Sequence, residues 1–314
     1  MNTTNDHAIQ TSGLTKSYHA SRPALDALDL TVNRGEVFGF LGPNGAGKST
    51  TIRLLLDLIH PTGGTSRVLG LDSRRDSVAI RRRTGYLAGE LHLPGRETAA
   101  DLLLHLGFLR GRPDRQRIAD LAERLHLDLT KPVGRMSKGN KQKVGLIQAF
   151  MHDPDLLILD EPTSGLDPLV QHEFQAMVLA ARSNGQTVFL SSHTLPEVER
   201  IADRVAILKT GRLVRVATMR DIRAEARRRI EIEFDDAPSP DAFTGIAGVS
   251  DVLVRDTVMT ATVAGEMDGL IKTAAQHTVR GIHTHDADLE EIFLDYYAPE
   301  PIAAGGQEDS SDGR

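Results

Sequence analysis

A chain of 314 residues without a single cysteine excludes a disulfide framework and any thiolate metal site. Its net charge of −6 gives no support to a nucleic-acid partner, its length is enough for one large domain plus a small one, and its 40% apolar content is ordinary for a folded soluble protein. The first residues, MNTTNDHAIQTSG, lack the apolar core of a secretory signal, and no stretch approaches the roughly 18 apolar residues of a membrane span. A role at a membrane therefore calls for another chain that crosses it.

In chain order, residues 24–33 (ALDALDLTVN) alternate apolar and polar and predict a half-buried strand. Val37–Leu41 reads as a short buried strand. It runs into Gly42-Pro43-Asn44-Gly45-Ala46-Gly47-Lys48-Ser49-Thr50 and then a helix from about Lys48 to Leu58. Glycine, four residues, then Gly-Lys-Ser between a strand and a helix is the P-loop pattern. Its glycines let backbone N–H groups turn towards phosphate oxygens, and the helix start adds positive potential. Lys48 is placed to reach the β- and γ-phosphates of a nucleotide, and Ser49 to ligate Mg²⁺.

Residues 97–127 differ in character. ETAADLLLHLGFLRG and RIADLAERLHLDL predict helices, the second with Ile118, Leu121 and Leu125 on one face. They read as a helical insertion between sheet elements. Leu156–Leu159 and Thr187–Leu190 predict further buried strands, and the alternation of strands with helices implies a mainly parallel sheet. The strand at 156 ends in Asp160-Glu161-Pro162. Downstream of a P-loop, Asp160 is suited to hold Mg²⁺ through water and Glu161 to polarise the attacking water as general base.

A boundary falls near residues 220–228. Beyond it RRIEIEF, SDVLVRD and VMTATVA predict strands, and 267–278 and 288–297 predict helices. The tail 299–314 is small, polar and acidic and is expected to be disordered. Arg81-Arg82-Arg83 reads first as a solvated helix end, with lipid headgroups or a membrane partner as the alternative. His283 and His285 share a face if their segment is a strand, near Asp286 and Asp288. Surface histidines are the simpler reading, and a metal site the alternative.

From the P-loop and the Asp160-Glu161 strand end onward, residues 8–220 resemble the ABC ATPase family. Met136-Ser137-Lys138-Gly139-Asn140 stands where that family has its signature Leu-Ser-Gly-Gly-Gln; Ser137 and Gly139 match. Ser164-Gly165-Leu166-Asp167 matches the loop that crosses the family's dimer interface, His193 the switch histidine that contacts the γ-phosphate, and Tyr18 the aromatic that stacks on adenine. The resemblance implies ATP and Mg²⁺ as cofactors. It also implies a P-loop α/β core with an antiparallel β subdomain and a helical subdomain at about 90–150, all within residues 1–220, followed by a small α/β accessory domain at 225–298. The family uses its signature in trans, which implies a homodimer, or a heterodimer with a similar subunit.

One family element is missing. The family has a glutamine after a strand like Thr84–Leu87, where this chain continues Ala88-Gly89-Glu90; Gly89 aligns with the glutamine and Glu90 is expected to take over part of its contact with the metal. The combination of YLAGE, SKGNKQKV and LEEIFLDYY resembles ATP-binding subunits of antibiotic- and drug-export systems. The expectation is an ATPase on the cytoplasmic face of the cell membrane that energises export through a separate membrane permease. The main rival is a non-transport ABC ATPase acting on DNA or ribosomes. The short interval between Lys48 and Ser137 leaves no room for the long coiled coil of the DNA-repair type. A nucleotide sensor without turnover is disfavoured by the joint presence of Asp160, Glu161 and His193.

Overall fold

The computed structural model describes residues 7–18, 23–111, 113–225 and 227–285. The predicted helix at 288–297 and the tail from 299 lie outside the described residues.

The strands are β1 (His7–Lys16), β2 (Leu25–Asn33), β3 (Val37–Leu41), β4 (Gly63–Val68), β5 (Leu71–Asp72), β6 (Thr84–Leu87), β7 (Leu156–Asp160), β8 (Thr187–Ser192), β9 (Arg204–Lys209), β10 (Arg212–Thr218), β11 (Arg227–Phe234), β12 (Val249–Arg255), β13 (Val258–Ala264) and β14 (Val279–His285). The helices are α1 (Lys48–Leu55), α2 (Ser77–Arg82), α3 (Ala99–Leu109), α4 (Arg115–Arg124), α5 (Lys138–Phe150), α6 (Pro168–Ser183), α7 (Leu195–Glu199), α8 (Met219–Glu225) and α9 (Asp268–Ala274).

The central sheet has the order β10-β9-β3-β8-β7-β6 and is parallel apart from β10. Strands β3 and β7 are buried along their whole length because both faces of this sheet are covered. Alternate side chains go to opposite cores. Val37, Leu157 and Leu190 pack with α3–α7, while Phe38, Ile158 and Phe189 pack with α1 and the antiparallel sheet β2-β1-β4-β5. The rings of Phe38 and Phe189 stack across adjacent strands at 6.0 Å.

Helix α1 ends at Leu55, three residues before the expected Leu58. Asp57 takes φ +54°, and the N–H of Leu58 returns to the carbonyl of Arg53 at 2.8 Å while that of Asp57 reaches Leu54. This is a left-handed helix stop that satisfies the last carbonyls. The apolar run through Ile59 conceals it from periodicity.

Both insertion helices form between β6 and β7. Thr98 caps α3 by accepting from Asp101 N–H, and Asp114 caps α4 by accepting from Arg117 N–H. Ile118, Leu121 and Leu125 are all buried, as their spacing predicts. Of the three arginines after α2's start, two are committed to structure. Arg81 donates to the Leu56 carbonyl, and Arg83 pairs with Asp155 at 2.6 Å.

The strands after α8 form a third sheet, β12-β13-β11-β14, wholly antiparallel, with its own core of Ile230, Ile232, Phe234, Phe243 and Met259. His283 and His285 both fall within β14. Among the described residues no group of three or more histidines and carboxylates is placed to hold a metal.

Candidate functional site

The P-loop joins β3 to α1. Gly47 has φ +110°, and a Cβ there would lie 2.7 Å from the Ala24 carbonyl oxygen, so both its backbone angle and its surroundings require glycine. The N–H groups of Lys48, Ser49 and Thr50 open α1 and have no intrahelical acceptor. Ala24, Pro43, Asn44, Gly45, Ala46, Gly47, Lys48, Ser49, Thr50 and Glu161 line a pocket of about 340 Å³. Lys48 is buried at 6% exposure; its Nζ donates to the Gly42 carbonyl at 2.6 Å and lies 3.1 Å from Glu161 Oε1.

Asp160 and Glu161 leave the end of β7 in opposite circumstances. Asp160 is buried, and its Oδ1 accepts from the Ser191 hydroxyl at 2.5 Å. A Cβ built on Gly89 would lie 3.2 Å from Asp160 Oδ2, so the backbone after β6 abuts this carboxylate at the place of the absent glutamine. Glu90, one residue on, is exposed. Glu161 takes φ +50° directly before Pro162. A left-handed L-residue costs about 1–2 kcal/mol, and such strain gathers at functional turns. The Glu161 N–H is held by Ser191, through its carbonyl at 3.3 Å and its hydroxyl at 3.1 Å. The Glu161 carboxylate lies between two cationic or ionisable partners: Lys48 at Oε1, and His193 Nδ1 at 2.6 Å from Oε2.

The oxygen donors fit Mg²⁺. This ion needs only one or two protein ligands, keeps several waters and takes the rest of its shell from nucleotide phosphates. Ser49 and the buried carboxylate of Asp160 supply hard oxygens of that kind.

A second group gathers at the start of α5. Ser137 is exposed and caps that helix by accepting from Asn140 N–H at 3.3 Å. A Cβ on Gly139 would lie 2.5 Å from the Gly165 carbonyl oxygen, which accounts for glycine here, whereas Lys138 points outward and its Nζ reaches Ser164 Oγ at 3.3 Å. Asp167 caps α6 by accepting from Val170 N–H, and that bond holds its carboxyl below the usual aspartate range. Neither Ser137, Gly139 nor Asp167 lines the P-loop pocket. Tyr18 is exposed near the end of β1, with Lys16 Nζ 5.1 Å from its ring centre, and also stands outside that pocket's lining.

Two residues of the site escape sequence reasoning. Ser191 holds Asp160 and Glu161 together, and Gln142 on α5 donates to the Glu161 and Pro162 carbonyls. The sequence carries no signal for either, because the burial of Gln142 and its neighbours on α5 is seen only in the structure.

Fold and site together define a P-loop ATPase, and the chain belongs to the ABC transporter family as an ATP-binding subunit. The family described as ABC transporter matches residues 25–164. The bacitracin transport ATP-binding protein BcrA of Bacillus licheniformis is 37% identical over 231 residues, covering 73% of this chain and 75% of that protein. The daunorubicin/doxorubicin resistance ATP-binding protein DrrA of Streptomyces peucetius is 34% identical over 311 residues, 94% of this chain and 93% of its own length. A solved ATP-binding subunit of an ABC transporter superposes with a TM-score of 0.64 at 31% identity, covering 69% of this chain and 92% of that one.

Proposed function

We propose that this chain binds ATP with Mg²⁺ in the P-loop pocket, hydrolyses it with Glu161 as general base, and energises export of a substrate through a separate membrane permease. The observation that carries the reading is the Glu161 carboxylate, presented at the pocket wall with His193 hydrogen-bonded to one oxygen and Lys48 ion-paired with the other. The Lys48 ammonium and the α1 N–H groups are the groups that attract phosphate; Lys48 exchanges its Gly42 and Glu161 partners for phosphate oxygens. Glu161 freed from Lys48 is a stronger proton acceptor for a water molecule, and His193 keeps the carboxylate oriented. Ser49 and Asp160 would hold Mg²⁺, which would supply neutralisation of phosphate charge. Glu90 adds to the metal environment from the exposed turn beside Asp160. Tyr18 offers its open ring face to adenine.

The separation of Ser137, Gly139 and Asp167 from the pocket of their own chain supports a dimer in which each signature turn completes the other subunit's site. Within the expected range 225–298, the described residues 227–285 form an accessory α/β domain in this reading; its separate core supports that division. Bacitracin transport and daunorubicin/doxorubicin resistance, named for the relatives BcrA and DrrA, support a drug or antibiotic as cargo, and the DrrA alignment extends through the third sheet. The same names favour transport over action on DNA or ribosomes. No helix among the described residues is long and apolar enough to cross a membrane; in this reading the chain attaches at the cytoplasmic face through the permease. The test is co-reconstitution with a candidate membrane permease. ATP-dependent movement of a bacitracin- or anthracycline-type compound away from the face that bears this chain supports export, and movement towards that face, or ATPase activity indifferent to the permease, contradicts it.

A further inference from the structure

Gln142 is an amide sealed inside the protein, 3% exposed, on the helix that begins with the signature turn. Its Nε2 donates to two consecutive carbonyls, those of Glu161 at 3.2 Å and Pro162 at 3.1 Å. A primary amide nitrogen carries two protons, so both bonds form at once. They fall on the turn where Glu161 takes its left-handed conformation before proline. Two steric preferences oppose that conformation, and it persists only where its surroundings over-determine it. Ser191 grips Glu161 by its N–H, and Gln142 grips the same residue by its carbonyl. Removing the amide leaves the buried Pro162 carbonyl without this donor and the Glu161 carbonyl with the Ser164 N–H alone, at 3.2 Å, which loosens the peptide after Glu161.

We propose that Gln142 is a positioning residue for ATP hydrolysis: its amide fixes the turn that aims the Glu161 carboxylate between Lys48 and His193. This inference rests on the reading of Glu161 as general base. Gln142 does not line the P-loop pocket, so it acts through the backbone of Glu161 and not on the nucleotide. It follows Ser137 and Gly139 on one continuous helix, so any shift of α5 is passed to the Glu161 carbonyl.

The test uses steady-state ATPase kinetics of the full chain. Gln142→Met keeps the side-chain length and deletes both donors. A misaimed base lowers kcat about ten- to hundredfold, since displacement by about 1 Å is enough for that. KM and the affinity for a fluorescent ATP analogue should stay within about threefold of the unmodified chain. The double variant Gln142→Met/Glu161→Gln should be no slower than Glu161→Gln alone, because a residue acting only through the carboxylate has nothing left to aim. Gln142→Glu serves as the second variant, and as the only one if Gln142→Met does not fold. Its ionised carboxylate cannot donate, and protonation restores one donor. Its kcat relative to the unmodified chain should therefore rise as pH falls. Unchanged kcat in Gln142→Met overturns the proposal while leaving Glu161's role intact. A kcat loss repeated in full in the Glu161→Gln background does the same, as does a Gln142→Glu ratio that stays flat with pH. Full turnover in Glu161→Gln alone overturns the general-base reading itself, and this proposal with it.

Discussion

Nδ1 of His193 lies 2.6 Å from Oε2 of Glu161, while the opposite oxygen of that carboxylate faces Lys48 Nζ. The histidine sits just past β8 and the glutamate just past β7, so neighbouring parallel strands deliver the pair to one edge of the sheet. His193→Ala removes the contact that orients the base. It should lower kcat about 10²-fold, the lower end of what positioned acid–base groups contribute, with ATP affinity changed by no more than a few fold. Stopped-time phosphate release against ATP concentration separates the two quantities. A loss confined to affinity would place His193 in binding alone.

The P-loop and the Asp160-Glu161 strand end were legible because their chemistry is local. Each lies where a buried strand stops, and the strands could be read from runs such as Leu156–Leu159. Ser137 was legible only through family resemblance; on its own geometry it is a helix cap. Gln142 and Ser191 were not legible as parts of the site. Gln142 is 19 residues from Glu161 in sequence, Ser191 is 31 from Asp160, and only the packing of α5 and β8 against β7 brings them together. The end of α1 was misplaced because an apolar run continues past a turn that Asp57 makes by its backbone angle.

Shared sites predict complementation. Homodimers of Ser137→Arg and of Lys48→Ala should each be inactive at both sites. A mixed dimer gathers both lesions in one site and leaves the other whole. Mixing the purified variants under subunit exchange should restore up to about half of the activity per dimer, in proportion to the mixed species, as expected for independent sites. Mixed dimers seen by native mass spectrometry without any recovery would contradict sites completed in trans.

The turn after β6 makes a prediction about metal dependence. Gly89 abuts Asp160 but has no side chain to offer, and Glu90 is exposed beside it. Glu90→Ala should raise the Mg²⁺ concentration for half-maximal ATPase activity several fold, since a carboxylate favours a hard cation. A Mg²⁺ titration at saturating ATP reads this directly. An unchanged midpoint with impaired transport would make Glu90 a docking residue for the permease.

His152 makes the stability pH-dependent. Arg110 at the end of α3 donates to the carbonyls of Arg81 and Thr84 and to His152 Nε2 at 2.7 Å. Arginine can only donate, so Nε2 accepts and the imidazole is neutral. Burial, with the Arg110 charge next, lowers its pKa to about 4. A folded pKa below the unfolded value of about 6.5 means the unfolded chain binds the extra proton first. This contribution to stability is complete above pH about 6.5 and is lost as pH falls towards 4. His152→Gln keeps an acceptor for Arg110 without titrating. Its melting temperature should fall less steeply than that of the unmodified chain through this window, and parallel curves would contradict the assignment.

The most direct measurement is single-turnover hydrolysis by Glu161→Gln beside equilibrium ATP binding to the same preparation. Retained binding with turnover lowered roughly 10²–10⁴-fold is the result predicted for loss of a positioned general base. Hydrolysis at the rate of the unmodified chain would contradict it, and would leave the carboxylate between Lys48 and His193 without a part in the chemistry.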